Sequence, residues 1–165
     1  MRGKRFILLV SQFHPALSRS LVRGATEALR RAGASSRAIR VIDVPGAFEL
    51  SVVAAHAARS RPRPHAIIAL GVLIRGQTPQ YEVLAHAVAE GLTHVSVTTG
   101  VPVTFGVIVA ETMAQARARA NPVRWRRYRK RGQLAHGAGS SGNRGEEAAL
   151  AALGVLRMFE KEGMR

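Results

Sequence analysis

Short apolar runs alternate with longer stretches whose apolar residues recur at helical spacing, and this alternation organises the chain. Phe6-Ile7-Leu8-Leu9-Val10 is continuous and apolar, and Ser11-Gln12-Phe13-His14-Pro15 breaks it, as expected of a strand buried on both faces and its following loop. Leu17, Leu21, Ala25, Ala28, Leu29 and Ala32 then recur at helical spacing with arginines between them, up to Gly33. The unit repeats with a strand over Ile39 to Val44, the break Pro45-Gly46, and a helix-like stretch over Leu50 to Ala58. Ala66 to Val72 predicts a third strand, Val83 to Val97 a third helix, Val101 to Val109 a fourth strand, and a fourth helix begins near Glu111.

Strands and helices at this pitch predict a three-layer α/β/α domain, with one four-stranded parallel sheet covered on both faces. Ligand sites in such sheets lie beyond the carboxyl ends of the strands. Here these are the loops after Val10, Val44, Val72 and Val109. The pattern breaks after Arg119: PVRWRRYRKR over 122–131 holds six basic residues around Trp125 and Tyr128, and a Gly/Ser tract runs to Gly142. Glu146 to Glu160 resumes as a final helix, with Glu146 and Glu147 in the first turn, where the helix dipole favours carboxylates. The expectation is a single domain over 1–165 with a basic insertion at about 121–141.

Composition narrows the chemistry. With 165 residues, 47% hydrophobic and 21% charged, the chain has enough apolar mass to bury a core. No cysteine is present, which excludes disulfides, thiolate metal sites and cysteine nucleophiles. Basic residues outnumber acidic ones 25 to 10, for a net charge of +15, which makes anionic ligands plausible and says nothing of fold. No apolar run reaches the roughly 20 residues needed to span a bilayer, so no membrane role and a cytoplasmic location are expected. The histidines lack metal-ligand spacing, and no metal site is expected.

Two loops carry candidate chemistry. Leu73-Ile74-Arg75-Gly76-Gln77-Thr78-Pro79-Gln80-Tyr81 puts a glycine and a hydroxyl at a strand's carboxyl end before a helix, where free amides and the dipole suit a phosphate. Val44-Pro45-Gly46-Ala47-Phe48-Glu49 puts a carboxylate at a helix start on the same sheet edge, where a helix-capping acid is the simpler reading. Phe13 could stack on a planar ring there, or merely pack.

Four ordered stretches carry a resemblance: Gly46-Ala47-Phe48-Glu49, Ala69 to Pro79 (ALGVLIRGQTP), Gly100 to Val107 (GVPVTFGV) and Gly142 to Ala149 (GNRGEEAA). Together they resemble the lumazine synthase family, over nearly the whole chain apart from the insertion. The resemblance implies a flavodoxin-like fold and a cofactor-free condensation of 5-amino-6-ribitylaminouracil with 3,4-dihydroxy-2-butanone 4-phosphate, through an imine and loss of phosphate, in riboflavin biosynthesis. By position it implies Phe13 against the pyrimidine, Phe48 and Glu49 at the ribityl chain with Ala47 beside them, and the backbone of Leu73 and Ile74 at the uracil edge. Gly76, Gln77 and Thr78 would hold the phosphate with Arg119. Phe105, Arg119 and Arg144 would come from the neighbouring subunit of a homo-oligomer, expected to be a pentamer. A riboflavin synthase is an implied partner.

The chain departs from the family pattern at identifiable places. Gln80 stands where the family carries its proton-transferring histidine, and an amide cannot take up a proton near neutral pH. Loss of such a group typically costs about a hundredfold to ten-thousandfold in rate, so a weak paralogue that binds a lumazine or flavin is the alternative reading. His14 replaces a frequent asparagine, and its expected position is on the pyrimidine side, away from the phosphate loop. Arg144 replaces a lysine, exchanging a point charge for a planar fork. The insertion reads as a solvated basic loop, with nucleic-acid binding through Trp125 and Tyr128 or a lid over the site as rivals.

Overall fold

Apolar residues that alternate along each strand go to opposite faces of one sheet, and each face is closed by its own helices. In this computed structural model, residues 1, 3–121 and 142–164 are described. The expected insertion, from residue 122 to 141, lies outside them. Strands β1 (Phe6–Ser11), β2 (Ile39–Val44), β3 (Ala66–Ile74) and β4 (Val103–Ala110) form one parallel sheet in the order β2-β1-β3-β4. This is the start of the flavodoxin-like strand order. Helices α1 (Pro15–Arg31), α4 (Met113–Ala120) and α5 (Arg144–Lys161) cover one face, and α2 (Leu50–Arg59) and α3 (Gln80–Thr99) cover the other.

Phe6, Leu8 and Val10 of β1 pack with Leu21, Ala25, Ala149 and Leu153 on the α1–α5 side. Ile7 and Leu9 pack with Leu50, Ala54, Val88 and Leu92 on the α2–α3 side. Continuous apolar runs in β1 and β3 follow from this two-sided burial, whereas β2 is an edge strand and only partly covered. Among the described residues, no helix is long and apolar enough to cross a membrane.

The boundaries expected from sequence shift for local reasons. β4 begins at Val103 rather than Val101. Pro102 has no N–H to donate to a ladder, although its carbonyl accepts from Ile67 N at 2.8 Å. α3 begins at Gln80 rather than Val83, since its first turn, Gln80 to Glu82, is polar and was absorbed into the preceding loop. α4 begins at Met113 because Thr112 and Gln115 form a reciprocal capping box. α5 begins at Arg144, capped by Asn143, whose side chain accepts from Glu146 N at 3.1 Å.

Candidate active site

β3 outruns its neighbour. Pairing of β1 with β3 ends at Val10 and Leu70, while β3 continues to Ile74 still paired with β4. Backbone groups of Gly71 to Ile74 that face the β1 side are thereby released from the ladder. They border a cleft of about 450 Å³ at the carboxyl ends of the strands.

The loop after β1 contributes Phe13 and His14; the loop after β2 contributes Gly46, Ala47, Phe48 and Glu49. Val72, Leu73 and Ile74 line it from β3, Gly76 and Thr78 from the following loop, and Gln80, Tyr81 and Leu84 from α3. Phe13 is 75% exposed and Phe48 59%, so two phenyl faces flank the opening without core neighbours. Glu49 is the residue just before α2 and makes no side-chain cap there. Its Oε2 lies 2.6 Å from where a Cβ on Gly46 would stand, so any larger residue at 46 would displace the carboxylate.

No side chain caps the start of α3, where Pro79 occupies the capping position. The first-turn amides there, beside Gly76 and Thr78, form a surface for an anion. The Tyr81 hydroxyl donates to Glu82 Oε1 at 2.8 Å. That bond to a carboxylate, with burial, pushes the phenol above its ordinary range and keeps it neutral.

His14 lines this cleft beside Phe13, in the same cleft that Gly76 and Thr78 border. Its ring meets that of Phe13 nearly at right angles, 77° apart in plane with centroids 5.1 Å apart. Gln77, in contrast, sits in the loop but does not line the cleft.

Phe105, Arg119 and Arg144 also lie outside the cleft's lining. Phe105 packs on the α2–α3 side of β4. Arg119 and Arg144 converge on one carboxylate: Arg119 Nη2 is 3.0 Å and Arg144 Nη1 3.3 Å from Glu147 Oε2. Asn143 holds the two arginines at this spacing. It is fully buried, caps α5, and donates through Nδ2 to the carbonyls of Ala120 at 2.8 Å and Ser20 at 3.1 Å. Ser20 Oγ adds a 2.6 Å bond to the same Ala120 carbonyl. A Cβ at Gly145 would overlap the Leu21 backbone, so only glycine lets α5 approach α1 this closely.

Sequence reasoning treated Glu146 and Glu147 alike as dipole acids. Glu146 is instead 4% exposed and receives Arg31 Nη2 at 2.6 Å, and Glu147 bridges the arginine pair. The spacing of three residues from Arg144 to Glu147 was the available signal. Among the described residues, no three acidic or histidine side chains group as metal ligands would.

The sequence profile of the 6,7-dimethyl-8-ribityllumazine synthase family matches residues 3–160. A 6,7-dimethyl-8-ribityllumazine synthase of Chlorobium phaeobacteroides is 37% identical over 160 residues, spanning 97% of this chain and 92% of that one. One from Syntrophus aciditrophicus is 36% identical over 160 residues with the same coverage, 97% and 92%. A third, from Desulfotalea psychrophila, is 35% identical over 158 residues, covering 96% and 90%. Matching so much of the chain, these findings establish that the chain belongs to the 6,7-dimethyl-8-ribityllumazine synthase family.

Proposed function

We propose that this chain is a lumazine-forming transferase that condenses 5-amino-6-ribitylaminouracil with 3,4-dihydroxy-2-butanone 4-phosphate in riboflavin biosynthesis. The observation that carries the reading is the released end of β3 within a cleft that also holds two exposed phenyl rings and an uncapped helix start. In this reading, the pyrimidine stacks on Phe13, its uracil edge bonds the free backbone at Leu73 and Ile74, and its ribityl hydroxyls meet Ala47, Phe48 and Glu49. The sugar phosphate lies on the Gly76-Gln77-Thr78 loop and the first amides of α3. Holding both substrates in one cleft converts a bimolecular encounter into a local one, worth several kcal/mol in favourable cases.

The phosphate needs cations, and among the described residues the lining of the cleft contains no lysine or arginine. Arg119 and Arg144, paired on Glu147, and the Phe105 ring are supplied by the neighbouring subunit. A homopentamer accounts for that sharing. Exposed Val52, Val83 and Val97 on the α2–α3 layer are consistent with a face that another copy covers. The assembly is read as cytoplasmic, using no cofactor, with each chain one domain carrying its insertion at about 121–141. A riboflavin synthase is its partner as consumer of the product.

Arg119→Ala tests the phosphate assignment. Loss of a charge-assisted contact is expected to raise half-saturation for the sugar phosphate about tenfold to a hundredfold, leaving that for the diaminouracil nearly unchanged. Equal saturation by the sugar phosphate in wild type and variant would remove Arg119 from the site.

A further inference from the structure

The condensation requires protons to move between nitrogen and oxygen, and few cleft residues can move them. Of the described residues lining the cleft, the titratable ones are His14, Glu49 and Tyr81. Tyr81 is engaged with Glu82, and its phenol is held neutral by that bond and by burial. Gln80, at the start of α3, carries an amide that neither gains nor loses a proton in this range. Imidazole is the one side-chain type present that changes charge between pH 5 and 8.

The placement of His14 fits the task. It precedes α1 as the capping residue, yet its side chain makes no cap bond, so the ring is not committed to holding the helix. It is set by its edge contact with Phe13, centroids 5.1 Å apart. A planar substrate stacked on Phe13 would therefore lie close to the imidazole. His14 also shares the cleft with Gly76 and Thr78, where the sugar phosphate would enter. Of the other described histidines, His56, His65, His86 and His94 do not line it.

We infer that His14 is the proton-transferring catalytic residue of this site. The inference rests on the lumazine-forming reading above. As the amine lone pair forms the C–N bond with the ketone, the imidazole takes an N–H proton and passes it to the carbonyl oxygen, giving a carbinolamine. A second transfer from nitrogen to that oxygen lets it leave as water, giving the imine and returning the imidazole to its starting state. Glu49, just before α2, shares the cleft lining with His14, Glu82 is bonded to Tyr81 on α3, and His14 itself sits at the positive end of the α1 dipole.

The test is the pH dependence of single-turnover lumazine formation by the full-length protein, compared with His14→Asn and with His14→Asn/Gln80→His. Wild type is expected to show a pH-dependent rate limb carried by an ionisable side chain of the cleft. His14→Asn should lose that limb with a fall of about a hundredfold or more, and the second imidazole should restore both. Retention of rate and limb in His14→Asn would overturn the inference while leaving the synthase reading intact. A lower rate with the limb unchanged would overturn it too, since the ring would then act only by position. No acceleration by wild type over the uncatalysed reaction would sink the synthase reading itself, and this inference with it.

Discussion

At the scale of single residues, exposure separates function from stability. Phe13 contributes little to the core at 75% exposure, so Phe13→Ala should leave the unfolding free energy within about 0.5 kcal/mol of wild type. The same change should weaken the pyrimidine substrate by about 1 kcal/mol, roughly a fivefold rise in its half-saturation, through loss of stacking. A melt that falls by several degrees would mean that Phe13 packs rather than presents a face. His65 behaves oppositely, since its Nδ1 accepts from Arg5 N at 3.0 Å and it serves the fold. Burial first, then the charges of Lys4 and Arg5, hold its pKa below the ordinary 6.5. The unfolded chain therefore takes up the proton first as pH falls, and stability declines below about 6.5 until the folded imidazole is protonated as well. His65→Gln should flatten that part of a stability-versus-pH curve, and an unchanged slope would assign it to other groups.

At the scale of elements, Asn143 joins the end of α4, the start of α5 and the first half of α1 through one side chain. Asn143→Ala removes the cap and the side-chain bonds to the carbonyls of Ala120 and Ser20 at a fully buried position, for an expected loss of about 1 to 3 kcal/mol in chemical denaturation. Little change would mean that water or neighbouring groups satisfy those carbonyls. β1 and β3 were legible in the sequence because both their faces are buried, giving unbroken runs such as Phe6 to Val10. Both helix starts that local chemistry defines were written in the chain as well, Thr112 with Gln115 and Asn143 with Glu146, but the apolar pattern drew the eye past them. What was not legible was long-range. Nothing near Glu146 announces Arg31, and the free end of β3 exists only because β1 stops pairing earlier. The cleft's two loops were legible from their residues, and so was the place of His14 beside Phe13.

At the scale of the whole molecule, the proposed site is divided between two copies: the cleft would belong to one and the Arg119–Arg144 pair to the other. Mixed assembly exposes such a division. Two impaired variants, Phe48→Asp in the cleft and Arg119→Ala in the arginine pair, assayed at sugar-phosphate concentrations well below the half-saturation of Arg119→Ala, should regain about a quarter of wild-type activity when refolded together in equal amounts, because random neighbours then create some intact sites. Mixtures as inactive as their parts would put the whole site within one chain. The central claim, that this cleft makes 6,7-dimethyl-8-ribityllumazine, is tested most directly by mixing purified wild-type protein in excess with both substrates and following product absorbance against a protein-free control. The account predicts formation clearly faster than the uncatalysed condensation. A rate equal to the control would contradict it.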